Sequence, residues 1–181
     1  MEHKFCSVCA SVVEIRVPEG DHFPRRVCPQ CGTVHYDNPR VVVGCVAEFE
    51  DRLLICRRAI EPRRGFWTLP GGFLENEETL AAGAARECRE EALADVEITG
   101  LLLIADVLQA HQIHVFFRGR LVGGAFGAGP ESLESRLIRP EDIPWNELAF
   151  PSNQAALEAW LGDRKAGREA HHQVTLTRRF T

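Results

Sequence analysis

The sequence predicts a mixed α/β domain with a small cysteine-clamped ribbon ahead of it. Two observations carry this expectation. Along residues 40–161 the apolar patterning runs strands, helix, strands, helix, and near the start two Cys-x-x-Cys pairs stand eighteen residues apart. A chain of 181 residues is long enough for one sizeable core plus such an appendage. Its charged fraction of 26% and apolar fraction of 45% are those of an ordinary water-soluble protein. No apolar run approaches the roughly 18 residues that a membrane span needs. The opening MEHKFCSVCA also lacks the apolar stretch of a signal peptide. A cytoplasmic location with no membrane partner is therefore expected, and a net charge of −5 argues against general nucleic-acid binding.

The first unit is expected over residues 1–37. Cys6/Cys9 and Cys28/Cys31 each bracket a tight turn, and the interval between the pairs suits a four-cysteine zinc site. The connecting segment reads as two short extended pieces around a turn at Pro18-Glu19-Gly20-Asp21. A redox pair or a secreted disulfide framework would use the same residues, but the doubled motif and the absence of a signal sequence favour structural zinc. The other cysteines, Cys45, Cys56 and Cys88, lie in apolar strand or helix patterns, which fits a reducing compartment.

The second unit is expected over residues 38–162. Residues 40–49 form a continuous β-branched run, and residues 53–58 follow as a hairpin partner after the Glu50-Asp51-Arg52 turn. Residues 66–70 read as a short extended piece ending at Gly71-Gly72, where a sharp turn and close backbone approach to a ligand are expected. Asn76 or Thr79 is positioned to cap the next helix. Strands follow over residues 96–108, 112–122 and 133–138, and residues 152–161 have helical apolar spacing. Residues 163–181 read as a polar, mostly mobile tail with one weak strand signal at residues 174–177.

Chemistry concentrates in Arg86-Glu87-Cys88-Arg89-Glu90-Glu91. On a helix the spacing i, i+3, i+4 brings Glu87, Glu90 and Glu91 to one face. Converging ionised carboxylates repel, and a hard, oxygen-seeking cation such as Mg²⁺ or Mn²⁺ relieves that cost while bridging to substrate phosphates. An exposed, charge-rich helix end would carry the same residues; Gly72 and Glu78 at fixed distances upstream weigh against it. Together, Gly72, Glu78 and the closing Arg-Glu-apolar-x-Glu-Glu resemble the signature of the Nudix hydrolases. The resemblance implies an α/β/α sandwich on a mixed sheet, preceded by the zinc ribbon. It further implies that Glu87, Glu90, Glu91 and the Gly72 carbonyl hold the catalytic metal, that Arg86 orients the glutamates, and that Glu78 is structural. One departure stands out: the family places glycine where this chain has Leu93. Because a left-handed leucine is unfavourable, the helix is expected to run on to about Ala94.

A further carboxylate from outside the signature is expected as metal ligand or base, with Glu134 preferred and Glu131 the alternative. Strand alternation allows only one of Arg57 and Arg58 to face the site, and Arg58 is the choice for substrate phosphate. Gly71, Gly72 and Trp67 complete the expected substrate contacts, with Phe66 and Phe150 as alternative stacking surfaces; in so short a strand Trp67 reads equally as core. His111 and His114 read as ordinary strand-end residues.

The ribbon, the signature and the later GPESLESRL and LAFPSN segments are similar to bacterial relatives of the chloroplast FAD/ADP-ribose pyrophosphatase. That likeness implies a small nucleotide substrate, ADP-ribose or FAD, yielding AMP and a second monophosphate, and a homodimer. Hydrolysis of NADH or of NAD-capped RNA is the rival reading, and a non-catalytic nucleotide sensor is another.

Overall fold

The computed structural model describes residues 4–177. The chain divides into two compact units, cut between Asn38 and Pro39.

In the first unit, strands β1 (Glu14–Arg16), β2 (Arg25–Val27) and β3 (Val34–His35) form an antiparallel sheet in sequence order. The β1–β2 register pairs Ile15 with Arg26. As anticipated, the turn is made by Pro18–Asp21: the Asp21 N–H donates to the Pro18 carbonyl at 3.1 Å, and Gly20 takes a positive φ of 80° that favours glycine. Two further turns hold the cysteine pairs, the Ala10 and Gly32 N–H groups donating to the carbonyls of Cys6 and Cys28, each at 2.9 Å. The four thiol sulfurs lie within 4.8 Å of one another, with separations of 3.7 Å for Cys6–Cys31, 3.4 Å for Cys9–Cys28 and 3.5 Å for Cys9–Cys31. Tetrahedral zinc with Zn–S bonds of about 2.3 Å sets its sulfurs about 3.8 Å apart, so this quartet fits that ion.

The second unit is an α/β/α sandwich. Its eight strands include the path β10-β5-β4-β9-β8-β11, formed by Ser132–Ile138, Arg52–Arg58, Arg40–Phe49, Gln112–Leu121, Val96–Val107 and His172–Leu176 in that order. Pairing is mixed, since β4 runs parallel to β9 and β8 runs parallel to β11, while the other neighbours on the path are antiparallel. Helix α1 (Leu80–Ala92) covers one face through Ala84, Cys88 and Ala92, against Val43, Cys45, Ala47 and Cys56. Helix α2 (Pro151–Ala166) covers the other through Ala156, Leu157 and Trp160, against Val46, Leu53, Leu103 and Phe116. Alternation along each strand assigns odd and even side chains to opposite faces, which is why runs such as residues 40–49 are apolar throughout.

The sheet forks. Strands β4 and β5 pair only near their turn, at Glu48–Leu53 and Phe49–Arg52. Beyond it, β6 (Trp67–Thr68) pairs with β5, and β7 (Gly71–Phe73) pairs with β4. Gly71 and Gly72 therefore sit in a strand rather than in the sharp turn expected, and neither has a positive φ.

Two other expectations are corrected. Helix α1 stops at Ala92, and Leu93 itself takes the left-handed cap (φ 47°), its N–H bonding to the Arg89 carbonyl at 3.1 Å. The helix ends where the family glycine would end it, at a conformational cost of about 1–2 kcal/mol for a residue with a Cβ. The stretch from residue 163 is no tail over its described residues: it completes α2 and adds β11 to the sheet edge. Asp163 explains this. Its buried carboxylate accepts from Arg118 Nη2, from the Ala170 N–H at 3.1 Å and from His172 Nε2 at 3.0 Å, tying the helix end, strand β9 and the approach to β11 together. Asp163→Ala leaves Arg118 buried without its counter-ion and is expected to lower the unfolding free energy by about 3 kcal/mol. Denaturant titration should register that loss, with the amides of residues 172–176 losing exchange protection first; a variant within about 0.5 kcal/mol of the parent would remove the clamp from consideration.

Candidate active site

Helix α1 starts where Thr79 caps it, the hydroxyl accepting from the Ala82 N–H at 3.2 Å. Two turns later Arg86 becomes the hub of the carboxylates. Its guanidinium donates to Glu78 Oε1 (2.9 Å) and Oε2 (3.1 Å), to Glu87 Oε1 (2.8 Å), to Glu90 Oε2 (2.7 Å) and to the Phe73 carbonyl (3.0 Å). Glu78 also accepts from the Glu75 N–H at 2.8 Å, so its contacts are those of a brace between the loop and the helix. The bond from Arg86 holds the Glu78 carboxyl below the usual range.

The two glycines of β7 receive the remaining carboxylates. The Gly71 N–H donates to Glu91 Oε2 at 3.0 Å. A Cβ built on Gly72 would stand 2.6 Å from Glu87 Oε1, so any other residue there would displace that carboxylate. Close approach, and not backbone freedom, is what glycine supplies here. Glu87 and Glu91 are 7% and 5% exposed, whereas Glu90 faces solvent. Burial raises both buried carboxyls, Glu91 to about 7 in spite of the Gly71 bond, with the charge of Glu87 adding to the effect. One guanidinium does not balance this cluster. Carboxylate oxygens are the donors a hard divalent ion prefers, although among the described residues only the four cysteines have their ligand atoms all within 4.8 Å of one another, so the glutamates are not drawn into one shell.

The cluster forms one side of a cavity of about 1010 Å³. Glu131 lines it; Glu134 does not. Strand β10 has a bulge between Ser132 and Glu134, which sets Glu134 opposite Arg57. There Glu134 pairs with Arg57 (3.2 Å) and Arg136 (2.7 Å), and those bonds outweigh burial and keep its carboxyl low. Of the two carboxylates proposed from sequence, Glu131 is the one that borders the cavity. Arg58 lines the cavity as anticipated, anchored through Nε to the Pro62 carbonyl at 2.9 Å and stacked 5.0 Å from the Phe150 ring centre. Trp67 is a correction. It pairs opposite Arg57, packs with Leu53, Ile55 and Trp160 beneath α2, and is covered by Arg136 at 5.1 Å, so it is core and not lining. Of the three aromatic residues considered, Phe150 borders the cavity.

The sequence reading missed His114. It is 7% exposed and lines the cavity beside Gln112, Phe116, Ser152 and Asn153. A lone histidine in a strand gives no signal of this; only the pairing of β9 with the start of α2 does.

Comparison with known proteins agrees with this geometry. The NUDIX domain model matches residues 38–161, and the Nudix N-terminal model matches residues 4–37. The chain belongs to the Nudix hydrolases. A solved Nudix hydrolase from Nitrosomonas europaea superposes with a TM-score of 0.93 at 46% identity, covering 97% of this chain and all of that one. Among curated Nudix relatives, an ADP-ribose pyrophosphatase of Methanocaldococcus jannaschii is 29% identical over 119 residues, 64% of this chain and 69% of the relative. The NAD-capped RNA hydrolase NudC of Stutzerimonas stutzeri is 28% identical over 176 residues, 92% of this chain but only 59% of the relative's length. Among the described residues, no helix is long and apolar enough to cross a membrane.

His114 gives the site a measurable pH dependence. Burial lowers its pKa to about 4, against an ordinary value near 6.5. Between those values the unfolded chain holds a proton that the folded chain refuses, so stability is full above about pH 6.5 and falls as pH drops toward 4. From pH 6.5 to 4.5 the loss assignable to this ring is about 2 kcal/mol. His114→Gln should flatten the pH profile of urea unfolding by that amount; parallel profiles for variant and parent would contradict it.

Proposed function

We propose that this Nudix hydrolase is a metal-dependent pyrophosphatase that cleaves the diphosphate of a nucleoside diphosphate linked to another moiety. ADP-ribose and FAD are the leading substrates, giving AMP with ribose 5-phosphate or FMN. The observation that carries the reading is one cavity lined by Glu87, Glu90, Glu91 and Glu131 together with Arg58, Phe150 and uncharged polar groups. The likeness to an archaeal ADP-ribose pyrophosphatase supports it. A second reading, hydrolysis of NADH or NAD-capped RNA, is favoured by one specific finding: the NudC match covers 92% of this chain.

Mg²⁺ or Mn²⁺ would be held by Glu87, Glu90, Glu91 and the Gly72 carbonyl, with Glu131 the ligand or base from outside the signature. When bound, such an ion neutralises phosphate oxygens and lowers the pKa of a water. The chain's own residues supply positioning. Arg86 fixes Glu87 and Glu90, and the Gly71 N–H fixes Glu91. Arg58 offers its charge to a phosphate oxygen from a half-rigid position against Phe150. Glu131, which has no basic partner among the described residues, is available to accept a proton from water. The ribbon would carry structural zinc on Cys6, Cys9, Cys28 and Cys31, and the active species would be a homodimer.

The decisive assay offers ADP-ribose, FAD, NADH and a nucleoside triphosphate with Mg²⁺ or Mn²⁺ and identifies both products. Preferred release of AMP from ADP-ribose or FAD is expected; preference for NADH would transfer the assignment to the second reading. Glu91→Gln and Glu131→Gln should each cut kcat by at least about 10²-fold with zinc content and fold unchanged, while Glu134→Gln stays within about threefold of the parent. The reverse order for Glu131 and Glu134 would overturn the choice between them.

A further inference from the structure

Part of the cavity lining is uncharged and polar: His114, Ser152 and Asn153, which are buried, and the half-exposed Gln112. His114 Nδ1 lies 2.9 Å from Ser152 Oγ, and His114 Nε2 lies 2.9 Å from Gln112 Oε1. The ring is packed against Phe116, centroids 6.4 Å apart, so its orientation is set. Beside it Asn153 Nδ2 donates to Thr68 Oγ1 at 2.7 Å. Register gives the separation of the backbones that carry the two ends. Val42 of β4 pairs with His114 on one side and with Phe73 of β7 on the other, so two strand spacings, about 10 Å, separate His114 from the neighbour of Gly72.

The orientation of Gln112, with Oε1 toward His114 Nε2, sets the protons of this wall. A carboxamide oxygen only accepts, so Nε2 of the neutral ring carries the hydrogen; Nδ1 then accepts, and the Ser152 hydroxyl donates. With its oxygen engaged, Gln112 turns its amide nitrogen away from the ring. Among the described residues that nitrogen has no hydrogen-bond partner, and Gln112 lines the cavity.

We propose that the Gln112 carboxamide N–H reads a hydrogen-bond acceptor, a ring nitrogen or carbonyl, on the base of the bound nucleotide, and that His114 is the positioning residue that fixes Gln112 through Ser152. The inference rests on the dinucleotide reading above and assigns the two ends of the substrate: diphosphate at the carboxylates, base at the uncharged wall. The charge distribution supports that polarity. A neutral heterocycle loses little on leaving water for the uncharged surface of Gln112, His114, Phe116, Ser152 and Asn153, provided its polar edge finds a partner, while Arg58 against Phe150 remains available to a phosphate. Burial also keeps His114 neutral, as that placement of protons requires.

The test is calorimetric binding of AMP and of ribose 5-phosphate, without catalytic metal, to the full chain and to Gln112→Glu, His114→Phe and Ser152→Ala. Gln112→Glu keeps an oxygen for His114 but removes the donor, and its half-exposed position makes it safe for folding. AMP affinity is expected to fall about tenfold in Gln112→Glu and His114→Phe, with ribose 5-phosphate within twofold of the parent. The His114→Phe/Gln112→Glu double variant should be no weaker than Gln112→Glu alone, because both act on one contact. Unchanged AMP affinity in Gln112→Glu, or equal weakening of both ligands, overturns the inference while leaving the dinucleotide reading intact. A parent chain that binds neither ligand and cleaves neither ADP-ribose nor FAD overturns that reading itself, and this inference with it.

Discussion

The structure depends on the seating of two carboxylates against a strand that opens with two glycines. Glu87 occupies the space that a Cβ on residue 72 would fill, and Glu91 takes the N–H of Gly71. Glycines are poor strand formers, so β7 persists because it is paired with β4 and covered by α1. The fork in the sheet follows from this arrangement. If β4 and β5 zipped along their full length, β7 would have no edge to pair with and α1 no groove in which to place its acids. Arg86 then makes the crowding tolerable, satisfying three carboxylates and a backbone carbonyl with a single planar fork.

Much of this was legible in the sequence because it is local. The i, i+3, i+4 spacing of the glutamates, a cap at Asn76 or Thr79 and the rule that Arg57 and Arg58 cannot both face the site follow from a single helix or strand, while the brace at Glu78 came with the family signature. What escaped depends on pairing. Glu134 and Glu131 differ by a bulge in β10, and a bulge leaves no mark on hydrophobic alternation. Trp67 belongs to the face set by its partner Arg57, and the approach to β11 is held by Asp163, forty-five residues from Arg118. Leu93 is a different failure: the conformational preference was read correctly and was overridden. The helix end is held by its capping bonds to Arg89 and Cys88, and the Gly127 and Gly129 N–H groups tie the later loop to the carbonyls of Ala92 and Glu91.

The cavity segregates charge. Its acidic side holds ionisable groups whose burial would be costly without a cation, and around His114 it holds hydroxyls, amides and a neutral imidazole that are bonded to one another except for the Gln112 amide nitrogen. A substrate with a doubly charged middle and uncharged ends matches that division. The matching needs no large motion, since the groups on both walls are held by hydrogen bonds already made within the chain.

Strand β11 has a consequence for the behaviour of the protein at high concentration. It covers the second half of β8, from Leu103 to Val107, with parallel ladder bonds. Were it absent, a long apolar strand would present an open row of amides and carbonyls, the template on which chains stack edge to edge. Its own residues alternate half-buried and exposed, with His172, Val174 and Leu176 inward and Gln173 and Thr175 outward. The chain thereby exchanges a sticky border for a short polar one. The Asp163 clamp is accordingly a guard against self-association as much as a source of stability, and its weakening would be felt first as turbidity, before any loss of the catalytic groups.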